Sequence, residues 1–174
     1  YRHEIGPIDV GIRENKKKWH DYKAKKQVPA RLWPYGIDYA AQTQVLVPRD
    51  GEKSPYEETL SLTPDLSEML DFGFYDPVWY WRGDHPSIGD DSKDLGRYLG
   101  VSRKVGTGMC YYILTRDGKV ISESSVQHVT EEDMRNEAIQ ARLEEFDRTV
   151  NEKLSDENYQ IATKEGENTI DDPN

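Results

Sequence analysis

Apolar and polar positions alternate in short runs between Leu70 and Thr130. Aromatic and β-branched residues group into segments that turn residues separate, namely 72–81, 97–102, 109–115 and 119–122. Short strands at this spacing, with the turn-forming pair Asp117-Gly118 between the last two, predict a small five-stranded barrel. Such a barrel is too small to hold a ligand or an active site inside, so we expect it to bind another molecule on its outside or to act as a spacer.

The first part of the chain has a helical pattern instead. Ile8, Ile12, Trp19 and Tyr22 follow one another at spacings of 4, 7 and 3, which predicts an amphipathic helix from about Asp9 to Lys26. The opposite face of this helix is basic and carries Arg13, Lys16, Lys17, His20 and Lys23.

Start signals mark further helices in this region. Pro29 fits the first turn of a second helix, and Pro34 predicts a kink or a late start. Ser54-Pro55 opens a short helix, and Thr63-Pro64-Asp65 opens another that reaches Leu70. Residues 1–70 are therefore predicted to be helical.

The end of the chain divides into a helix and a tail. Thr130 to Asp133 resembles a capping box, and helical spacing follows at Ile139, Leu143, Phe146, Val150 and Leu154. This predicts one amphipathic acidic helix over 131–155. Residues 156–174 have few large apolar groups to offset the entropy of ordering, so we expect disorder there. The predicted fold class is α+β, with the barrel over 71–130.

The charge of the chain is not evenly distributed. The net charge is −10, but Lys and Arg outnumber Asp and Glu by 11 to 7 in residues 1–55. They are outnumbered by 12 to 7 in residues 56–129 and by 14 to 5 in residues 130–174. Such a gradient suits a protein that meets nucleic acid through its N-terminal part.

Few signals point to a compartment or to an enzyme. Cys110 is the single cysteine, and no apolar run approaches the length of a membrane span, so we expect an intracellular protein, cytoplasmic or nuclear, without a membrane partner. The chain has no Gly-rich phosphate loop, no G-x-S-x-G elbow, no paired Cys and no H-E-x-x-H helix. We therefore expect no enzyme, no metal site and no cofactor in this chain.

Several motifs occur in an order and at distances that are typical of one family. They are Ile12-Arg13-Glu14, 28–33 (Val-Pro-Ala-Arg-Leu-Trp), 63–67 (Thr-Pro-Asp-Leu-Ser), 74–79 (Phe-Tyr-Asp-Pro-Val-Trp), 99–102 (Leu-Gly-Val-Ser), 118–121 and 125–130. Over roughly residues 8–155 the chain resembles the integrase region of Copia-type retrotransposon polyproteins. The resemblance implies the C-terminal part of a ribonuclease-H-like integrase core, followed by an SH3-like barrel.

The resemblance also implies an incomplete catalytic site. In the family two aspartates and a glutamate hold Mg²⁺ ions for strand transfer, because two ions about 4 Å apart stabilise the attacking and leaving oxygens. The two aspartates belong to strands that this chain lacks. Asp9 stands where the third acid is expected, with a side chain one methylene shorter, and a plain helix N-cap is the alternative role.

The same resemblance gives the basic face a partner. In the family the helix with the third acid lies near DNA, so Arg13, Lys16, Lys17, His20 and Lys23 would neutralise phosphates and bind DNA weakly, without reading bases. The rest of the polyprotein is a second expected partner. The alternative is a non-catalytic protein-interaction module, or a degenerate relic, that has no DNA binding.

Overall fold

The computed structural model describes residues 7–48, 51–61, 71–81, 93–102 and 110–164. The chain divides into two compact units, Tyr1–Tyr75 and Asp76–Asn174. The first is helical and the second contains a sheet and helices, so the fold class is α+β, as predicted. No helix in these described ranges is long and apolar enough to cross a membrane.

The described residues of the first unit form three helices and a 3-10 turn. Helix α1 spans Pro7–Lys26, which confirms the predicted amphipathic helix and begins it two residues earlier. A 3-10 turn at Ala30–Leu32 leads into α2, Trp33–Leu46, so this helix starts late, as one of the two predicted outcomes. Pro34 lies in its first turn, where a missing N–H costs no hydrogen bond. Helix α3, Pro55–Leu60, begins with the predicted cap.

The cap of α3 is a complete capping box. The Ser54 hydroxyl accepts from the Glu57 N–H, and the Glu57 carboxylate accepts from the Ser54 N–H at 3.0 Å. Ser54 is fully buried. The helix predicted from Thr63 to Leu70 lies outside the described residues.

An aromatic cluster forms the core of the first unit. The Phe74 ring is 1% exposed, and its centroid lies 5.3 Å from that of Tyr22, 5.6 Å from that of Tyr39 and 6.4 Å from that of Trp19. An ideal Cβ on Gly36 would lie 2.3 Å from a ring carbon of Trp19, so only glycine lets α2 approach this ring.

Residues 72–75 therefore belong with the helices. The sequence predicted strand structure for the whole run 72–81, but the first strand begins only at Pro77, and the compact helical unit extends to Tyr75, five residues past the predicted boundary. The Tyr39 hydroxyl and the Lys26 ammonium donate to the carbonyls of Phe72 and Phe74, at 3.1 and 2.8 Å. Tyr75 has φ +65, which interrupts the extended backbone before the first strand.

The second unit is built on one sheet. Its strands are β1 (Pro77–Trp81), β2 (Lys93–Ser102), β3 (Cys110–Leu114), β4 (Val120–Glu123), β5 (Val126–His128) and β6 (Thr163–Lys164). The spatial order is β5-β1-β2-β3-β4-β6. Five of the strands pair antiparallel, and the turn between β3 and β4 contains Gly118 with φ +76. The described ladders do not pair β4 with β5, so the sheet is open.

The sixth strand corrects the predicted tail. Residues 156–164 were expected to be disordered, but Thr163 and Lys164 pair in parallel with Val120 and Ile121 of β4. The Tyr159 hydroxyl also donates to the Asp117 carbonyl at 2.9 Å. Backbone pairing and one tyrosine order this stretch although it has few apolar residues. Residues 165–174 lie outside the described part of the chain.

Two helices replace the single one predicted for 131–155. They are α4 (Glu131–Arg135) and α5 (Glu137–Ser155), and the break falls at Asn136, whose side chain caps α5. The predicted apolar face of α5 is confirmed, because Leu143, Phe146, Val150 and Leu154 are all buried. Its Asp147 accepts hydrogen bonds from Arg97 of β2, which fixes the helix against the sheet.

Candidate nucleic-acid interface

The five predicted DNA-binding residues share one exposed face of α1. Arg13, Lys16, His20 and Lys23 follow each other at spacings of 3, 4 and 3, which places them on one side of the helix, and Lys17 flanks them. All five side chains are exposed. At 1.5 Å per residue the face extends about 15 Å along the helix axis, comparable to several phosphates of a duplex strand.

Packing on the other side of the helix keeps this face outward. Trp19 is buried, Tyr22 is half-buried against Phe74 and Tyr39, and Lys26 is held by the Phe74 carbonyl. Burial, with a smaller contribution from the negative charge of Asp21, raises the pKa of the Tyr22 hydroxyl above its usual value, so it stays neutral. Ile12, predicted for the buried face, is 49% exposed, whereas Trp19 is buried.

Two acidic residues of α1, Glu14 and Asp21, lie beside Lys17 at one border of the basic face. Glu14 accepts a hydrogen bond from Gln44 of α2 at 3.2 Å. Glu14 and Asp21 belong to an open cleft of about 420 Å³ between α1 and the end of α2, whose lining is Glu14, Lys17, Lys18, Asp21, Thr43, Gln44, Val47 and Pro48. Among the residues that the structure describes, no ion pair involves any of the five basic-face side chains.

Asp9 lies in the first turn of α1. Because the helix begins at Pro7, Asp9 is inside it and is not its N-cap, so the alternative role proposed from the sequence is wrong. A negative charge in the first turn interacts favourably with the helix dipole. Asp9 precedes Arg13 by one turn. Within the described parts of the chain, no three His, Cys, Asp or Glu residues are placed to hold a metal ion.

A second cluster of charged groups lies in the sheet unit, where sequence reasoning found no site. The Trp79 indole N–H donates to the Asp133 carboxylate at 3.3 Å, and the Arg142 guanidinium lies over the Trp79 ring. Hydrogen bonds from the Thr130 backbone N–H and then from the Trp79 indole lower the pKa of Asp133, which keeps this carboxylate ionised.

The chain has no match among protein-family models, curated proteins or solved structures.

Proposed function

We propose that this chain is part of the integrase region of a Copia-type retrotransposon polyprotein, and that α1 binds duplex DNA through phosphates during integration. The observation that carries the proposal is the basic face of α1, which offers Arg13, Lys16, Lys17, His20 and Lys23 to solvent. In this proposal the chain holds DNA and lacks a complete catalytic site of its own.

The strand order supports the fold part of the proposal. A five-stranded antiparallel meander whose last strand returns to pair with the first is the arrangement that an SH3-like barrel requires. Here β5 pairs with β1, and β1 to β4 follow one another in order. The helices of the first unit would then be the closing helices of a ribonuclease-H-like core.

The chemistry of the face predicts weak binding without sequence preference. Lysine ammonium groups neutralise phosphates but carry little base information, and each phosphate contact releases counterions from the duplex. The net charge of −10 opposes the approach of DNA over longer distances. Binding should therefore be clear only at low ionic strength, where short contacts to phosphates are least screened.

We expect the affinity for duplex DNA to fall steeply with salt. If four cations meet phosphates, the slope of log K against log salt should be about −3.6, which weakens binding more than about a hundredfold between 50 and 200 mM salt. The measurement is fluorescence anisotropy with two labelled duplexes of unrelated sequence, which should bind alike.

Charge reversal tests whether α1 is the surface responsible. The double variant Lys16→Glu, Lys17→Glu should lose two contacts and at least halve the salt slope. The matched control is Lys25→Glu, Lys53→Glu, which makes the same charge change at exposed positions away from the basic face. Equal losses in both variants, or no binding at about 50 mM salt, would exclude a DNA interface on α1.

We expect no nuclease or strand-transfer activity from this chain. Asp9 is the one residue that matches the family's metal-binding acids, and a single carboxylate cannot hold two Mg²⁺ ions in the positions that phosphoryl transfer needs. Labelled duplex ends should stay intact with Mg²⁺ or Mn²⁺. Cleavage that disappears in Asp9→Asn would contradict the proposal.

The alternative function is a protein-interaction module without DNA binding. Helix α5 does not offer an apolar surface for it, because its apolar face is buried. The observation that favours the alternative is instead the charged cleft beside Trp79 in the sheet unit. DNA binding by α1 and protein binding at that cleft are separate properties of separate units.

A further inference from the structure

A cleft of about 650 Å³ opens at one edge of the sheet unit. Strands β1, β2 and β5 form one side and the starts of α4 and α5 form the other, with the lining Trp79, Lys93, Asp94, Gln127, His128, Thr130, Asp133, Ile139 and Arg142. This volume lies within the range of sites that bind small molecules and short peptide segments.

Two tryptophan rings carry cations of the protein itself. The Arg142 guanidinium carbon lies 5.4 Å from the centroid of the Trp79 ring, and the Lys93 ammonium lies 4.7 Å from that of Trp81. The hydrogen bond from the Trp79 indole to Asp133 fixes the first ring. A cationic ligand would have to displace these cations from the rings, so an aromatic cage for a methylated amine does not fit.

The cleft contains two carboxylates, Asp94 and Asp133, and two cations, Lys93 and Arg142, whose side chains keep N–H donors that can serve a ligand. Lys93 donates to the Gln127 side chain at 2.9 Å, which uses one of its three N–H groups. The Arg142 guanidinium lies 3.9 Å from the Asp94 carboxylate, an ion-pair separation beyond hydrogen-bond distance. Asp133 accepts from both Trp79 and the Thr130 backbone. The cleft therefore offers charged donors to an anionic group.

The overall charge of the unit decides which kind of anion fits. From Asp76 to Asn174 there are 12 Lys and Arg against 21 Asp and Glu. A nucleic acid brings a phosphate with every nucleotide, and the exposed acids of the neighbouring helices, such as Glu131, Glu132 and Glu137, would repel it. A peptide with one acidic side chain brings a single carboxylate to the two cations, and its other side chains need carry no negative charge.

The edge of the sheet provides a backbone template for a peptide. Strand β5 is the outermost strand on this side and pairs only with β1 among the described strands. Gln127 and His128 of β5 are exposed and line the cleft. An extended segment can add to such an edge through main-chain hydrogen bonds while its alternate side chains enter the neighbouring cleft.

We infer that this cleft and the β5 edge bind a short extended peptide that presents an acidic side chain next to an apolar one. The acidic side chain contacts Lys93 and Arg142, and the apolar one packs between the Trp79 ring and Ile139. This inference concerns a different unit from α1 and does not depend on the DNA-binding proposal.

The test begins with an array of eight-residue synthetic peptides in which a central Glu or Gln is combined with every pair of flanking residues. We expect the chain to bind peptides with Glu beside an apolar residue. The best Glu peptide and its Gln twin are then titrated into isotope-labelled chain and followed by NMR. The Glu peptide should shift the Trp79 indole resonance and the amides of 126–128, and its Gln twin should bind about tenfold more weakly.

Variants assign the binding to the cleft. Lys93→Gln and Arg142→Gln should each weaken the Glu peptide about tenfold and leave the Gln twin unchanged. The matched control is Arg148→Gln on the exposed face of α5, which should have no effect. Circular dichroism checks that each variant folds. If Arg142→Gln does not fold, Lys93→Gln alone tests the cleft.

Three results would overturn the inference. They are an array without preference for Glu, resonance shifts outside the cleft, and tighter binding of an eight-residue oligothymidylate that Lys93→Gln and Arg142→Gln abolish. The last result would assign the cleft to single-stranded nucleic acid.

Discussion

Replacing Phe74 by alanine should destabilise the helical unit by about 3–5 kcal/mol, as truncation of a buried phenylalanine does. The Phe74 ring is 1% exposed and lies against the rings of Trp19, Tyr22 and Tyr39. Its removal leaves a cavity that three rigid aromatic side chains cannot fill by small movements. The measurement is the free energy of opening from hydrogen exchange of the α1 and α2 amides.

Trp33→Ala is the matched control for Phe74→Ala. It removes a larger aromatic side chain from the same unit, but Trp33 is 55% exposed, so we expect a change within about 0.5 kcal/mol. If both substitutions cost the same, Phe74 is not the centre of this core. DNA binding should weaken in Phe74→Ala only as far as α1 loses its helical structure.

Phe146→Ala should cost the sheet unit a similar amount, about 3–5 kcal/mol. Phe146 is 2% exposed and lies in the middle of the buried face of α5, between Leu143 and Val150. Its loss removes the one aromatic ring among the four buried apolar side chains of this helix, which the Arg97–Asp147 ion pair also fixes. Chemical denaturation followed through the amides of β2 and β3 measures the change.

Met134→Ala provides the comparison in the same unit. Met134 is 40% exposed on α4, so its truncation should change the stability of the sheet by less than about 1 kcal/mol. A large effect at Met134 with a small one at Phe146 would mean that α4, and not α5, covers the sheet.

Sequence patterns predicted the secondary-structure elements whose signals come from residues close together along the chain. The 3.6-residue periodicity of α1 and α5, the helix start at Ser54-Pro55 and the turn at Asp117-Gly118 depend on neighbouring residues, and the structure confirms them. The open face of α1 could be predicted for the same reason, because one continuous helix positions all five cations.

Contacts between distant residues account for what the sequence did not show. The segment around Phe74 has the composition of a strand, yet it fills the space between two helices because Lys26 and Tyr39 bind its carbonyls. The cleft in the sheet unit joins Trp79 with Asp133 and Arg142, more than fifty positions later. No periodicity spans that distance, and only strand register and the break at Asn136 bring these groups together.

The short strand β6 affects how the protein can be shortened. It covers part of the outer edge of β4, and the Lys153 ammonium and the Tyr159 hydroxyl both donate to the Asp117 carbonyl in the adjoining turn. A fragment that ends at Ser155 would lose β6 and the Tyr159 bond together, and would expose unpaired N–H and C=O groups along β4. Bare strand edges of this kind can pair with other copies, so we expect a fragment that keeps residues up to Lys164 to stay monodisperse at a higher concentration than one that ends at Ser155.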